Sequence, residues 1–335
     1  MKLWQYIVRR TILMIPLLLG ITFITFTVSH LMPGDPARLA AGPHAPTQAV
    51  DIMRHQLGLD KPVYVQYYLY MASLFRGDLG TSIMDRTPVA QEMLARWSGT
   101  IELTIVAMVF ILAVGIPLGV FSATNKDKPL DHASRIFSLL GVSMPSFWLV
   151  LILMLVLSIY LRLFPLGYRI DPSIVLQRIT GFNILDSILT LNSKALVNSL
   201  WHIVLPAFAL AYQGIATVQR LLRSNMLDSI TQDYVKMARA KGLSERTIVY
   251  KHVLRNSLIP VVTISALMFG GMLGGTFIIE NLFSWPGLGQ YGALAILQLD
   301  FPVIMGITIV YTMIFAVANL VVDVLYALLD PRIRY

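Results

Sequence analysis

The sequence predicts an all-α, polytopic membrane protein with six transmembrane helices and both termini in the cytoplasm. Three observations predict it. The 335 residues are 56% hydrophobic and only 13% charged, against roughly a quarter charged in an ordinary soluble domain. Mean hydropathy is +0.69. Apolar runs long enough to cross a bilayer recur along the whole chain, and basic residues concentrate in alternate connections between them. That placement accounts for the net charge of +8 without a nucleic-acid partner. The chain has no cysteine, which excludes disulfides and Cys-ligated metals, and its six histidines form no H-E-x-x-H or similar metal spacing. No G-x-x-x-x-G-K-[ST] loop occurs, so the chain is not expected to hydrolyse ATP or to bind a cofactor of its own.

Lys2, Arg9 and Arg10 precede an apolar run over about 11–32. The run is longer than a signal-peptide core and lacks a small-residue cleavage site, so residues 1–32 are read as a cytoplasmic tip and a retained first span. Pro33-Gly34-Asp35-Pro36 stops that helix. Residues 33–99 are too polar to span and nearly balanced in charge, which places them outside. Within them, Thr87 as N-cap and Pro88 at the first helical position predict a short helix to about Trp97. Tyr64, Tyr67, Tyr68 and Tyr70 read as interfacial anchors rather than a ligand-stacking group.

Residues 100–335 hold the other five spans. The second covers 101–123, with Gly115 and Gly119 at the spacing that lets helices approach closely. After a basic turn, the third covers 136–161 and is broken near its start by Met144-Pro145. Residues 162–197 are mixed in sign and external. The fourth span covers 200–218, the fifth 258–279 and the sixth 302–329. The fifth carries Gly270, Gly271, Gly274 and Gly275, two overlapping small-residue pairs suited to a packed interface.

The largest basic excess lies in the loop 219–257: Arg220, Arg223, Lys236, Arg239, Lys241, Arg246, Lys251 and Arg255 against Asp228, Asp233 and Glu245. Tyr234, Met237, Ala238 and Leu243 recur at roughly helical spacing. Gly242 interrupts, and Ser244 caps a second short helix with Glu245 in its first turn. By spacing alone, a docking element and an ordinary positively charged loop fit equally well. Glu102, His202 and Glu280 fall near span ends, which favours interface placement over contact with a solute. Asp323, near Asn319, is deeper and reads as a packing or gate hydrogen bond. The spans hold no nucleophile, base and orienter in series, which disfavours a membrane-embedded enzyme. The absence of a convincing internal repeat disfavours an ion-coupled secondary transporter.

At Ala238-Arg239-Ala240-Lys241-Gly242, then His252, Leu254-Arg255-Asn256 and Pro260, the chain resembles the cytoplasmic loop of binding-protein-dependent ABC importer permeases. It is most similar to the first permease of the dipeptide/oligopeptide/nickel group. Leu31-Met32-Pro33-Gly34-Asp35-Pro36, Leu57-Gly58-Leu59-Asp60-Lys61-Pro62, Gly77-Asp78-Leu79-Gly80, Ser143-Met144-Pro145-Ser146-Phe147-Trp148, Phe283-Ser284-Trp285-Pro286-Gly287-Leu288-Gly289 and Asp330-Pro331-Arg332-Ile333-Arg334 extend the resemblance over nearly the whole chain. The chain departs from the family's Glu-Ala-Ala pattern: Lys236 and Met237 stand at the first two positions, while Ala238 and Gly242 keep theirs.

The resemblance implies a type I ABC importer permease fold in a prokaryotic cytoplasmic (inner) membrane. It implies a homologous second permease, two cytoplasmic ATPase subunits that bind ATP and Mg, and an extracytoplasmic solute-binding protein. The implied cargo is a dipeptide or short oligopeptide, with nickel chelates, glutathione and oligosaccharides as alternatives. It further implies that Tyr234, Ala238, Arg239, Ala240, Lys241 and Gly242 form a coupling helix docked in a groove of an ATPase, Ala238 and Gly242 supplying shape and Arg239 charge.

Overall fold

The computed structural model describes residues 3–31, 35–42 and 44–329, with side chains placed for 5, 7–31, 35–42, 44–274 and 276–321. The described residues are helices and their connections, with one isolated bridge between Thr81 and Pro88. The chain opens with α1 (Leu3–Leu31), then three short helices, α2 (Pro36–Ala41), α3 (Thr47–Gln56) and α4 (Val63–Phe75). The long α5 (Val89–Thr124) is followed by α6 (Pro129–Ser143), α7 (Ser146–Leu153) with a π turn over Met154–Tyr160, and α8 (Asn183–Leu189). Next come α9 (Ser193–Ile230), α10 (Asp233–Ala240), α11 (Glu245–Thr247), a π turn over Ile248–Val253, and α12 (Leu254–Gly275). The last three are α13 (Phe277–Leu282), α14 (Leu288–Gln298) and α15 (Phe301–Leu329).

Among the described residues five helices are long and apolar enough to cross a membrane, and α6 with α7, bent by 112° between them, make a sixth if the pair is one broken span. The bend has a local cause. A residue before proline is pushed out of the helical region, and Met144 accordingly takes ψ 130 just ahead of Pro145.

Three boundaries differ from the sequence expectation. The helix predicted to end near Trp97 runs without interruption into the second span as the 36-residue α5, and its N-cap position is Pro88, with no side-chain cap from Thr87. Gly99 continues the helix because its bare Cα lies under the Pro286 carbonyl, and its own carbonyl accepts from Trp285 Nε1 at 2.9 Å. The fourth span runs on to Ile230, so the first third of the predicted loop 219–257 is helical. The fifth ends at Gly275, and residues 277–282 form the separate α13.

The core is built where α5 meets α9. Leu103, Ala107 and Ile111 pack with Ile203, Ala207, Ala211, Ile215, Val218 and Leu222 in one buried cluster. A Cβ on Gly115 would sit 3.0 Å from Val218 Cγ1, and one on Gly119 would sit 2.9 Å from Leu222 Cβ. With lipid on the outside, such close backbone approach and its dispersion contacts hold helices together.

Two buried ion pairs pin the ends of this core. At the α10 end, Asp131 is fully buried and accepts from Arg223 Nε and Nη2, both at 2.7 Å. Ser122 Oγ and the Asp127 amide complete its shell at 2.5 and 3.0 Å, so α5, α6 and α9 share one carboxylate. At the other end, Arg169 donates to Glu102 Oε2 at 2.6 Å and to the Gly181 carbonyl at 2.9 Å. Glu102 Oε1 also accepts the Ile184 amide at 2.8 Å.

Interface placement of Glu102, His202 and Glu280 is therefore corrected, since all three are buried in the protein. Glu280 accepts from the Thr100 and Thr276 hydroxyls, each at 2.7 Å, and from the Gln290 amide at 2.9 Å. His202 Nδ1 faces the Gly167 carbonyl at 2.8 Å. The tyrosines of α4 divide: Tyr67 and Tyr70 pack on Phe26 of α1, while Tyr64 and Tyr68 are exposed.

Removing one partner of a buried pair strands the other charge, at a cost of ~3–5 kcal/mol. Arg223→Met should therefore lower the thermal midpoint in detergent markedly. The double variant Arg223→Met with Asp131→Asn should recover most of the loss, because no charge is then left buried.

Candidate functional site

Two features stand apart from the packed core: the segment after α9, and a cleft at the broken span. In the first, α9 ends at Ile230 and the chain turns through Thr231 and Gln232 into α10. Asp233 occupies the first turn of α10, where a carboxylate suits the positive end of the helix. Val235 and Ala238 face inward and join the cluster that contains Ile248 and Val253 of the following π turn. Tyr234, Met237, Ala240, Lys241 and Gly242 face outward. Ala238, 7% exposed, thus seats α10 on its own bundle.

Gly242 has φ +73, a left-handed backbone that glycine adopts without strain. A Cβ there would meet nothing within 4 Å, so conformation and not space requires glycine. Its amide donates to the Arg239 carbonyl at 2.9 Å, and the Leu243 amide to the Ala238 carbonyl at 3.3 Å, which closes the helix end. Ser244 then caps α11, accepting the Thr247 amide. Arg239 reaches across this turn and donates to both oxygens of Glu245, at 2.7 and 3.2 Å. That hydrogen bond and the Glu245 charge raise the guanidinium above its ordinary value, so Arg239 stays charged at any working pH. The charge predicted for an external partner is therefore already engaged within the chain. A neighbouring exposed recess is lined by Arg246, Thr247, Tyr250 and Lys251; sequence patterning did not single out Tyr250.

The fifth-span glycines do not act alike. A Cβ on Gly270 would lie 2.8 Å from Ala318 Cβ, so this glycine lets α12 approach α15. Gly271 and Gly274 have nothing within 4 Å in front of them, and the Gly275 side-chain position lies outside the described residues. Gly271 borders a cleft of about 450 Å³ between the α6–α7 break, α9 and α12. Its polar groups come from Ser146, Tyr212, Gln213 and Thr217, and thioethers from Met144, Met268 and Met272. No described side chain of α15 lines it, so the half-buried Asn319 stands away from this space; the side chain of Asp323 lies outside the described residues. Among the described residues no cluster of three His, Asp or Glu side chains forms a metal site.

Helices long and apolar enough to span a membrane, a broken pair beside a largely apolar cleft and an exposed amphipathic helix at one end fit a multi-pass membrane subunit. Residues 115–335 match the family described as "Binding-protein-dependent transport system inner membrane component", and residues 3–104 match its N-terminal companion. The chain belongs to this family of ABC importer permeases, multi-pass proteins of the bacterial inner membrane.

Among its relatives, the probable D,D-dipeptide transport system permease protein DdpB of Escherichia coli K12 is 42% identical, over 99% of this chain and 98% of that protein. The dipeptide transport system permease protein DppB of Alkalihalophilus pseudofirmus is 40% identical, over 98% and 99%. The glutathione transport system permease protein GsiC of Salmonella choleraesuis is 37% identical, over 99% of each. A chain of the inward-facing MetNI methionine ABC transporter shares the fold at TM-score 0.50 and 15% identity, over 72% of this chain and 98% of that one.

The left-handed turn gives a direct prediction. A residue with a Cβ in this conformation costs ~1–2 kcal/mol, while asparagine tolerates it. In hydrogen exchange, Gly242→Val should loosen the amides of α10 and its C-terminal turn, and Gly242→Asn should stay close to the unaltered protein.

Proposed function

We propose that this chain carries dipeptides or short oligopeptides through the membrane as one of two homologous permease subunits. Two cytoplasmic ATPase subunits would bind ATP and Mg and hydrolyse the nucleotide, and an extracytoplasmic binding protein would deliver the solute. The outward face of α10, with Tyr234 and Met237 flanked by Lys241, carries the reading. It is an apolar and basic surface suited to a groove with acidic rims, and it hangs from a helix that reaches the cleft. The basic excess around α10 supports a cytoplasmic position for it and for both termini.

In this account Arg239 braces the turn through Glu245, and contact with the ATPase falls to Tyr234, Met237, Ala240, Lys241 and Gly242. ATP binding moves the ATPases, α10 follows them, and α9 conveys that motion as rigid-body rocking that alternates access to the cleft. A peptide cargo is supported by the relatives described as dipeptide and oligopeptide permeases. The relative described as a glutathione permease keeps glutathione as the alternative within the same class.

Met237→Glu places a carboxylate on the outer face of α10 without touching Val235 or Ala238. After co-expression of the whole complex, it should reduce the co-purified ATPase at least tenfold while the pair of permeases stays intact. ATPase retained at the original stoichiometry would contradict docking through this face.

A further inference from the structure

Gln213 lies near the midpoint of the 38-residue α9 and is exposed, while Tyr212, Gly214 and Ile215 beside it are buried. Among the described residues its side-chain amide has no hydrogen-bond partner, while its backbone carbonyl also accepts from Thr217 Oγ1 at 2.9 Å. An amide left bare in hydrocarbon costs several kcal/mol, so this face of α9 does not look onto lipid.

The same space receives the break between α6 and α7, where Met144 and Pro145 leave the helical conformation. Non-helical backbone at membrane depth persists only where protein buries it or where it lines a water-filled cavity. On α12, Gly271 borders the cleft, and even a Cβ there would meet nothing within 4 Å. Its missing side chain therefore enlarges the space rather than tightening a packed contact. Among the described residues none that line it is charged, and three are methionines, whose flexible thioethers adapt to varied shapes.

Building on the peptide-permease reading, we propose that this cleft is this subunit's part of a water-filled solute path and that Gln213 is its specificity-determining contact. The Gln213 amide pairs with the backbone amide of a short peptide. The uncharged, methionine-lined wall accepts side chains of different size and sign. An amide is suited to the task because it both donates and accepts, as the peptide group does.

The chain has no cysteine, so Gln213→Cys introduces its only thiol. The assembled complex, reconstituted in proteoliposomes, is treated with a charged, water-soluble methanethiosulfonate, and modification is read on this subunit. Val109→Cys, exposed on the membrane-spanning α5, serves as the hydrocarbon control. Gln213→Cys should react at least tenfold faster than Val109→Cys, and a transported dipeptide with its binding protein should slow it at least fivefold.

Equal inertness of the two thiols in a complex that still hydrolyses ATP would overturn the proposal, since the face would then be covered by the second permease or by lipid. Labelling that an imported peptide leaves unslowed would overturn it as well. In uptake, Gln213→Leu should raise KM for all peptides with little change in kcat, and Gln213→Glu should raise it most for anionic ones. A uniform loss of ATP hydrolysis in both variants would instead mark Gln213 as structural. An unaltered complex that imports no peptide would refute the substrate reading itself, whether or not the Gln213→Cys thiol reacts.

Discussion

The close approach of α5 and α9 is the constraint on which the rest of this structure depends. Gly115 and Gly119 leave room for Val218 and Leu222, and Ile111 fills the space over Gly214. In a bilayer no hydrophobic force drives one apolar helix onto another, so interdigitation at this depth holds the pair. Once the two rods are fixed, their opposite faces are assigned. One side of α9 packs on α6 through Ser134, Ser138 and Gln219, and the middle of α9 opens onto the cleft.

Electrostatics then secures the two ends of the pair. Asp131 draws a guanidinium from α9 and a hydroxyl from α5 to one point, and Arg169 draws the 162–182 connection onto the start of α5. Each carboxylate is hydrogen-bonded on several sides, which offsets the cost of burying it, although Arg169 Nε is buried without a partner. These pairs mark the termini of a rigid unit, with the exposed α10 just beyond one of them. They also explain why the basic excess near α10 overstates the charge available to a partner. Arg223 belongs to the core, and Arg239 and Lys236 are paired within the chain, so Arg220, Lys241, Arg246, Lys251 and Arg255 remain on the exposed surface.

Much of this was legible in the sequence, for identifiable reasons. Apolar runs of bilayer length marked the crossings, Pro145 marked the break, and Gly242 marked a turn whose φ of +73 bears out a glycine stop. By sequence alone, one helix ends near Trp97 and the next span begins at 101, whereas α5 runs on through Gly99, whose carbonyl is held by Trp285 from far along the chain. The buried pairs were invisible because Glu102 and Arg169 stand 67 residues apart, and Asp131 and Arg223 stand 92 apart. Hydropathy sees only an isolated charge near the end of a span. The inward face of Ala238 was not legible either: in an eight-residue helix bearing Tyr234, Val235, Met237 and Ala238, the π turn at Ile248–Val253 decides which side is covered. Gln213 stood unremarked as one amide in a long apolar stretch.

The unifying idea is mechanical: one helix of 38 residues, ~57 Å long, bears the cleft at its middle and leads at its end into α10, the proposed coupling segment. If α9 and α10 move as one body, motion at the ATPase reaches the cleft undiminished. The direct test is the distance between spin labels at Val197→Cys, near the start of α9, and Met237→Cys on α10, measured in the assembled complex with and without ATP. The distance within this chain should stay constant, while that from Met237→Cys to the second permease changes. A change within the chain of half a helical turn, ~3 Å or more, would contradict rigid transmission and move the coupling to a hinge between α9 and α10.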